Sequence, residues 1–393
     1  MTSSTGLPPG SEEPYRPPVP GRPVVPRRPA LARWAVRVAV IALFSTSGLL
    51  TVLAISTATG LVGLAVGLVL AVLPVIPVVA AFLWLDRYEA EPPALLLFAF
   101  GWGAAVATLV SIVVNTASME AIAATGGDPD WAAVLVAPVV EETAKGLAVV
   151  AIFLARRREF DGVVDGIVYA GLVGIGFAFV ENILYLGRAF LEAGGVGAAA
   201  VFVVRAIFSP FAHPLFTMAI GVGVGVAARR HQAAAWAWAP LAGWVVAVLL
   251  HALWNFAAVA SMSGFLVLYV VVQMPLFAAA VALAVLARRR EGRLVARHLD
   301  VYARSGWLTA GEVRMLASLP ERASARGWAL RTLGPDARDA MRDFQEIATE
   351  LAFLRERMSH GTAPDDAADT ELRMLQTLWH TRTRFLPKPV RSP

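Results

Sequence analysis

The sequence of 393 residues contains no cysteine, which excludes disulfide bonds and thiolate metal sites. Charged residues are also scarce, at 16% of the chain, whereas a soluble globular domain carries about 25%. Lysine is nearly absent, since only Lys145 and Lys388 stand among 34 basic residues. The low charge excludes an ordinary soluble globule, and it makes a lysine inside an apolar stretch a residue of interest.

Apolar residues make up 57% of the chain, and runs of about 20 of them recur between Val36 and Ala287. A helix of that length crosses a hydrocarbon core of about 30 Å. The sequence therefore predicts an all-α fold, a polytopic bundle of about eight transmembrane helices. We predict these helices at 35–57, 61–85, 94–118, 131–155, 163–187, 198–228, 236–260 and 263–287.

Arginines are distributed unevenly over the predicted loops. With the N-terminus inside, the outer loops contain no basic residue except Arg188. The inner segments contain Arg27, Arg28, Arg33, Arg87, Arg156 to Arg158, Arg229, Arg230 and Arg288 to Arg290. The positive-inside rule then predicts a multi-pass protein of the bacterial plasma membrane with both termini in the cytoplasm.

The two ends differ in composition from the membrane region, which we assign to residues 34–290. Residues 1–33 contain nine prolines and no apolar core, which predicts a disordered cytoplasmic tail. Residues 291–393 are charged and helical in periodicity, with a capping box at Thr309 and Glu312 and a long amphipathic helix over 335–360. This pattern predicts a small cytosolic helical domain that stabilises the protein or binds a cytosolic partner.

Few polar side chains lie inside the predicted membrane helices. Burying a charge at this depth costs roughly 2.5–3.5 kcal/mol or more, and such residues are functional by default. The fourth to seventh helices contain Glu141, Glu142, Lys145, Glu181, Asn182, Arg205, His213, His251 and Asn255. Helix direction predicts that Glu141, Glu142, Glu181, His213 and His251 can meet in the outer half of the membrane. Carboxylates and imidazoles that converge from separate helices predict a metal site in the bundle.

Spacing on single helices adds detail. Lys145 follows Glu141 by four residues and Glu142 by three, so it can pair with either. Pro138 is expected to perturb the helix one turn before the glutamates, and Pro210 and Pro214 are expected to break the sixth helix. Five glycines in the fifth helix predict close helix approach, namely Gly162, Gly166, Gly171, Gly174 and Gly176. The isolated Asn115 and Gln273 are expected to form interhelical hydrogen bonds.

Three interpretations of this cluster are open from the residues alone. A purely structural ion-pair network would use the same residue types but would need fewer of them. A proton-coupled transporter would use a similar set, although no inverted repeat is visible. A hydrolase would use the glutamates and histidines to activate water. The HExxH motif of water-soluble zinc enzymes is absent.

Four segments resemble the motifs of the PrsW family of bacterial intramembrane proteases, which is similar to the CAAX prenyl proteases. Glu141-Glu142-Thr-Ala-Lys145 resembles the family's EExxK motif, and Gly176-Phe-Ala-Phe-Val-Glu181-Asn182 its second motif. His213 resembles the third motif, and His251-Ala-Leu-Trp-Asn255 the fourth. Asp86-Arg-Tyr-Glu89-Ala-Glu91-Pro-Pro also resembles a family segment. The similarity covers residues 80 to 260 and excludes both ends of the chain.

The resemblance implies a membrane metalloendopeptidase that cuts a membrane-anchored protein, such as an anti-sigma factor. His213, His251 and Glu181 would bind a divalent metal, with zinc expected, and a metal-free mechanism stays open. Either Glu141 or Glu142 would be the general base, and the other would pair with Lys145. Asn255 or Lys145 would stabilise the oxyanion. The expected partners are the membrane-anchored substrate and the lipid bilayer, and no nucleic acid is expected.

Overall fold

The computed structural model describes residues 30–157, 160, 162–230, 233–259 and 262–386. Over this part of the chain the fold is all-α and has no strand, which confirms the predicted class. The proline-rich tail predicted for 1–33 lies outside the described residues up to position 29, as do Arg27, Arg28 and Arg158. The chain divides into two units, Met1–Leu43 and Phe44–Pro393. The described part of the first unit is the start of helix α1.

Helix α1, Ala30–Leu85, enters the second unit at Phe44. The helices that follow it, in chain order, are α2 Pro93–Gly101, α3 Thr108–Ala124, α4 Ala137–Ala155, α5 Val163–Phe202, α6 Ala212–Ala228, α7 Ala233–Val259, α8 Met262–Leu268 and α9 Met274–Arg304. Short π-helical segments join or precede several of them, at Trp102–Ala107, Ala132–Val136, Val203–Phe208 and Tyr269–Gln273. The chain ends in α10 Ala310–Leu316, α11 Leu319–Leu333, α12 Pro335–His360 and α13 Ala367–Thr383.

Five stretches of the described chain are long and apolar enough to cross a membrane: Trp34–Leu85, Pro93–Ala124, Val163–Ala228, Ala234–Val259 and Ser263–Arg304. Two of them, of 52 and 66 residues, far exceed the roughly 20 residues that one crossing needs. Each contains a break in helical backbone, at Gly60 in α1 and at Ala193 and Gly194 in α5. The breaks coincide with predicted loops, and the count of eight crossings stays a prediction.

Prolines lie at helix starts and at a helix interruption, close to the positions where the sequence predicted such irregularities. The π-helical segment Ala132–Val136 ends just before Pro138, in the first turn of α4. The helix is interrupted between Phe208 and Ala212, and Pro210 lies inside this interruption. Pro214 then occupies the first turn of α6, where its missing N–H costs no hydrogen bond.

Helix α5 is the centre of the bundle, and glycine makes its close contacts possible. A Cβ added at Gly166 would lie 2.0 Å from the carbonyl oxygen of Gly221 on α6. At Gly176 it would lie 2.1 Å from the carbonyl oxygen of Phe100 on α2. Distances this short leave no room for any side chain, so the prediction of close approach along this helix is confirmed.

The C-terminal helices form a second hydrophobic core. Helix α9 passes position 290 without interruption, and this core begins at Val295 on the same helix. The capping box is present, since Thr309 Oγ1 accepts a hydrogen bond from the Glu312 backbone N–H at 3.2 Å. Helix α12 spans the predicted 335–360 and buries Phe344 and Leu351 of its apolar face. The assignment of 291–393 as a separate domain stays a prediction.

Candidate active site

The three charged residues of α4 form one buried ion-paired group. Lys145 Nζ lies 2.9 Å from Glu142 Oε1 and 3.4 Å from Glu141 Oε2. The side chains of Lys145 and Glu142 have no exposed surface, and Glu141 is buried as well. The lysine therefore pairs with both glutamates across one helical turn, as their spacing predicted.

Both oxygens of the Glu142 carboxylate have polar partners. Its Oε1 lies 3.0 Å from His251 Nδ1, in addition to the lysine contact. Its Oε2 accepts a hydrogen bond from Thr217 Oγ1 at 2.9 Å. Sequence reasoning missed Thr217, and the available signal was its position one turn after His213 on α6. These contacts fix the carboxylate and, through it, the ring of His251.

The neighbouring Glu141 is held less completely. Its Oε1 accepts a hydrogen bond from Asn115 Nδ2 at 3.1 Å, which confirms the interhelical bond expected of that asparagine. Its Oε2 lies 3.8 Å from His251 Nε2. Unlike Glu142, Glu141 lines a cavity. The two adjacent glutamates are thus distinguished by the structure, since one is enclosed by partners and the other faces open space.

A second ion pair lies beside the first. Glu181 Oε2 is 2.7 Å from His213 Nε2, and the same carboxylate pairs with the guanidinium of Arg205. Arg205 Nε also donates to Asn182 Oδ1 at 2.5 Å. The second nitrogen of His213, Nδ1, lies 3.1 Å from Lys145 Nζ. His213 therefore connects the Glu181–Arg205 pair to the α4 group.

Aromatic rings enclose the polar group. The rings of His213 and His251 are 5.1 Å apart between centroids, and Phe216 stacks on His251 at 5.0 Å. The ammonium of Lys145 lies 3.8 Å from the centroid of the Phe177 ring, a favourable cation–π distance. These rings exclude water from the ion pairs, and the Phe177 ring replaces part of the lost hydration of the lysine.

Asn255 and Gln273 are two further polar residues, and only Asn255 lies at the candidate site. Asn255 lines the cavity, and its Nδ2 donates to the Ala133 carbonyl at 2.8 Å in the π-helical segment before α4. The amide atoms of Gln273 are buried and make no hydrogen bond within the described residues, so the interhelical bond expected of this glutamine is not observed there. Gln273 lines a separate apolar groove.

One set of side chains suits a metal ion. Glu141, His213 and His251 each offer a ligand atom, and these three atoms lie within 4.8 Å of one another. Imidazole nitrogen and carboxylate oxygen are the ligands of catalytic zinc sites. The Glu142 carboxylate at His251 Nδ1 also matches the outer partner that orients a metal-bound histidine. The donor set therefore fits a divalent metal.

The cavity gives access to this group from one side. It has a volume of about 360 Å³ and lies between α1, α3, α4, α5 and α7. Its polar wall contains Asn115, Glu141, Glu181, Arg205, His213 and Asn255. Its other walls are apolar and include Ile55, Phe177 and Trp254. Of the predicted site residues, Glu142, Lys145 and His251 lie behind this wall.

The fold and the site define a polytopic helical membrane protein with a buried glutamate, histidine and lysine centre. Residues 91–280 match the family model described as PrsW family intramembrane metalloprotease. This match agrees with the region in which the sequence motifs lie. It confirms the predicted resemblance to this family over residues 91–280, just under half of the chain.

Similar proteins carry the same family name. The chain is 35% identical over 150 residues to Protease PrsW of Geobacillus kaustophilus, covering 38% of this chain and 61% of that protein. It is 26% identical over 187 residues to Protease PrsW of Clostridioides difficile, covering 47% and 76%. It is 30% identical over 148 residues to Protease PrsW of Bacillus subtilis, covering 38% and 62%. No solved structure matches the chain. These findings do not favour the transporter alternative.

Proposed function

We propose that this protein is an intramembrane peptidase that hydrolyses a peptide bond of a membrane-anchored protein. The observation that supports this most directly is the placement of Glu141 on the wall of a cavity, with Glu181 and His213 beside it. A carboxylate that reaches both water and an imidazole cluster is the arrangement that general-base hydrolysis needs.

The base in this proposal is Glu141. Its Oε2 faces His251 Nε2 at 3.8 Å, a spacing in which one water molecule can contact both atoms. Glu142 is the positioning residue, because its oxygens already serve Lys145, His251 and Thr217 and it does not line the cavity. By accepting a hydrogen bond from His251 Nδ1–H, Glu142 leaves the Nε2 lone pair directed towards Glu141.

The proposed hydrolysis of the peptide bond uses Glu141 first as base and then as acid. Glu141 removes a proton from water, and the water oxygen forms a bond to the scissile carbonyl carbon. Asn255 has a second amide hydrogen beyond the one donated to Ala133, and this hydrogen would stabilise the oxyanion. The carbon–nitrogen bond breaks as Glu141 returns its proton to the leaving amine. Lys145 is enclosed behind the cavity wall, so its role is to balance the charge of both glutamates.

His213 and His251, with one carboxylate, would hold the divalent metal, with zinc expected. Glu181 is the carboxylate that the sequence predicted, and Glu141 is the one grouped with both imidazoles. A bound metal would polarise the water and lower its pKa. With Glu181 as the ligand, Glu141 stays free to act as the base, while Glu142 fixes the tautomer of His251 and the aromatic rings supply an apolar enclosure.

The substrate class is a single-pass or otherwise membrane-anchored protein, of which an anti-sigma factor is the case that the family resemblance implies. Both termini of the protease would lie in the cytoplasm of the bacterial cell, where residues 291–393 would be available to a cytosolic partner. The apolar walls around Trp254 and Ile55 suit a substrate segment that arrives through the membrane.

The test uses purified full-length protein in liposomes with tagged single-pass membrane proteins, including an anti-sigma factor. Wild type should release a fragment of defined mass, and Glu141→Gln should not. Thr143→Ala is a matched control, because Thr143 lies on the same helix but is exposed, and among the described residues its hydroxyl bonds to Val139 and Trp244 alone. Equal cleavage by Glu141→Gln, or proton transport by wild type without any cleavage, would contradict the proposal.

A further inference from the structure

A large cavity lies at the junction of the membrane bundle and the C-terminal helices, far from the candidate active site in sequence. Its volume is about 960 Å³. Its walls come from the end of α1, the segment that follows α1, the start of α2, the middle of α9, and helices α11 and α12. The junction is fastened by Tyr88, whose hydroxyl donates to the Ala317 carbonyl at 2.9 Å.

Arginine dominates the polar lining of this cavity. The basic residues are Arg87, Arg288, Arg289, Arg322, Arg326 and Arg342. The acidic residues that also line it are largely occupied. Asp86 and Glu91 are buried, with Asp86 Oδ2 accepting the Glu91 backbone N–H and Glu91 Oε2 accepting the Tyr169 hydroxyl. The cavity therefore presents an excess of positive charge.

Three of these arginines form no direct ion pair, although the nearby Glu291 on the same helix attracts Arg288. In the part of the chain that the structure describes, the side chains of Arg87, Arg288 and Arg289 form no ion pair or hydrogen bond, and Arg288 Nε is buried without an acceptor. Burial, and next the charge of Arg87, lower the pKa of Arg326. Guanidinium groups thus face one another across the cavity, an arrangement that a bound anion would relieve.

An apolar groove adjoins the arginine cavity on its membrane side. The groove has a volume of about 290 Å³ and shares Trp84 and Val285 with the larger cavity. Apart from those two residues it is lined by side chains of α1, α5, α6 and α9, such as Phe82, Met218 and Phe277. The guanidinium of Arg288 lies 3.4 Å from the ring centroid of Trp84, at the point where the two spaces meet.

We propose that this composite space binds one anionic phospholipid. Its phosphate would contact Arg87, Arg288 and Arg289, and an acyl chain would lie in the groove past Val285. A soluble phosphate compound would use the arginines and leave the groove empty, whereas a zwitterionic lipid would bring a cation to the arginines. The arginines also belong to the side of the bundle that the positive-inside rule assigns to the cytoplasm, where anionic headgroups attract basic residues.

The site would join the two parts of the protein. Gly292 on α9 touches the Tyr88 hydroxyl, and a Cβ added there would lie 2.6 Å from it. The arginine cavity is walled by residues on both sides of this contact. A lipid bound there therefore stabilises the docking of the C-terminal helices on the bundle, and binding should raise the temperature of unfolding.

The experiment measures lipid binding to delipidated full-length protein by native mass spectrometry and by thermal unfolding. The probes are phosphatidylglycerol, phosphatidylcholine and glycerol 3-phosphate. The test variant combines Arg87→Gln, Arg288→Gln and Arg289→Gln. Its matched control is Arg290→Gln, Arg293→Gln and Arg297→Gln, which removes the same charge from exposed positions of the same α9 helix outside the cavity. A further variant, Val285→Trp, fills the groove and leaves every arginine in place.

Phosphatidylglycerol should bind wild type and the control and raise their melting temperature, and phosphatidylcholine should do so weakly. The triple test variant should bind phosphatidylglycerol roughly 100-fold more weakly, since each basic residue near an anionic headgroup contributes about 1 kcal/mol. Val285→Trp should also lose binding. Equal affinity of test and control variants would refute the site. Equal stabilisation by glycerol 3-phosphate would show a soluble anion as the ligand and refute the lipid. Full binding of phosphatidylglycerol by Val285→Trp would show that no acyl chain occupies the groove, which would also refute the proposal.

Discussion

The buried lysine offers the sharpest prediction about what holds the site together. Replacing Lys145 by methionine keeps an unbranched side chain that is one atom shorter, and it leaves Glu141 and Glu142 without their cation. The distance from Nζ to Glu142 Oε1 is 2.9 Å, which corresponds to roughly 6 kcal/mol of attraction at an effective dielectric constant of about 20. Breaking one side of a buried pair typically costs 3–5 kcal/mol, so we expect Lys145→Met to destabilise the protein by about that amount.

A double variant tests whether the loss of the positive charge causes the expected destabilisation. In the double variant Lys145→Met, Glu142→Gln, no charge is left at position 142, and the amide can still accept from Thr217. The double variant should therefore be more stable than Lys145→Met alone, by at least about 2 kcal/mol. Reversible unfolding of the purified protein in mixed detergents, with both single variants, completes the cycle. If the two substitutions destabilise additively, the lysine fills space and the electrostatic reasoning is wrong.

Three further predictions use other parts of the molecule. Metal analysis shows which carboxylate is the ligand, because either Glu141→Gln or Glu181→Gln should reduce the amount of bound metal. Retention of metal by both variants would refute a carboxylate ligand at either position. After the metal is removed by chelation, Glu141→Gln should melt no lower than wild type. Burial raises the pKa of Asp86 to about 7, so this residue favours folding below about pH 4 and loses that contribution as the pH rises through 7. Asp86→Asn should therefore reduce the dependence of the melting temperature on pH between pH 5 and 8. An unchanged dependence would contradict the assignment. Reporter fusions after Gly126 should read outside and those after Glu89 inside, and the reverse result would invert the predicted orientation.

Much of the site could be predicted because membrane burial selects against polar residues. When only a handful of charged side chains lie inside apolar helices, their identity already indicates the site, and Glu141, Glu181 and His213 do line one cavity. Contacts along one helix were also predictable, since Lys145 reaches both glutamates through the fixed spacing of a helical turn.

Contacts between helices were not predictable from spacing, because they depend on the rotation of one helix against another. The position of Thr217 one turn after His213 places both on one face of α6 but does not identify Glu142 as its partner, since a threonine in a membrane helix usually bonds to its own backbone. Thr217 makes that backbone bond too, to the His213 carbonyl at 3.1 Å. The distinction between Glu141 and Glu142 has the same origin, because adjacent residues on a helix point about 100° apart and only the packing shows which direction is open.

The site contains more carboxylates than permanent cations, and the carboxylate in excess lies on the cavity wall, where the proposed hydrolysis takes place. Three carboxylates face two permanent cations in the described group, because Lys145 serves Glu142 most closely and Arg205 serves Glu181. The remaining carboxylate is Glu141, which shares Lys145 at the longer distance of 3.4 Å and faces the cavity. Stability alone would favour a neutral residue at this position, since an uncompensated charge in a membrane is costly. A base that takes a proton from water, or a ligand that meets a divalent cation, requires that charge. The cost of three charged residues in α4 is thus explained by one of them, and the other two hold it in place.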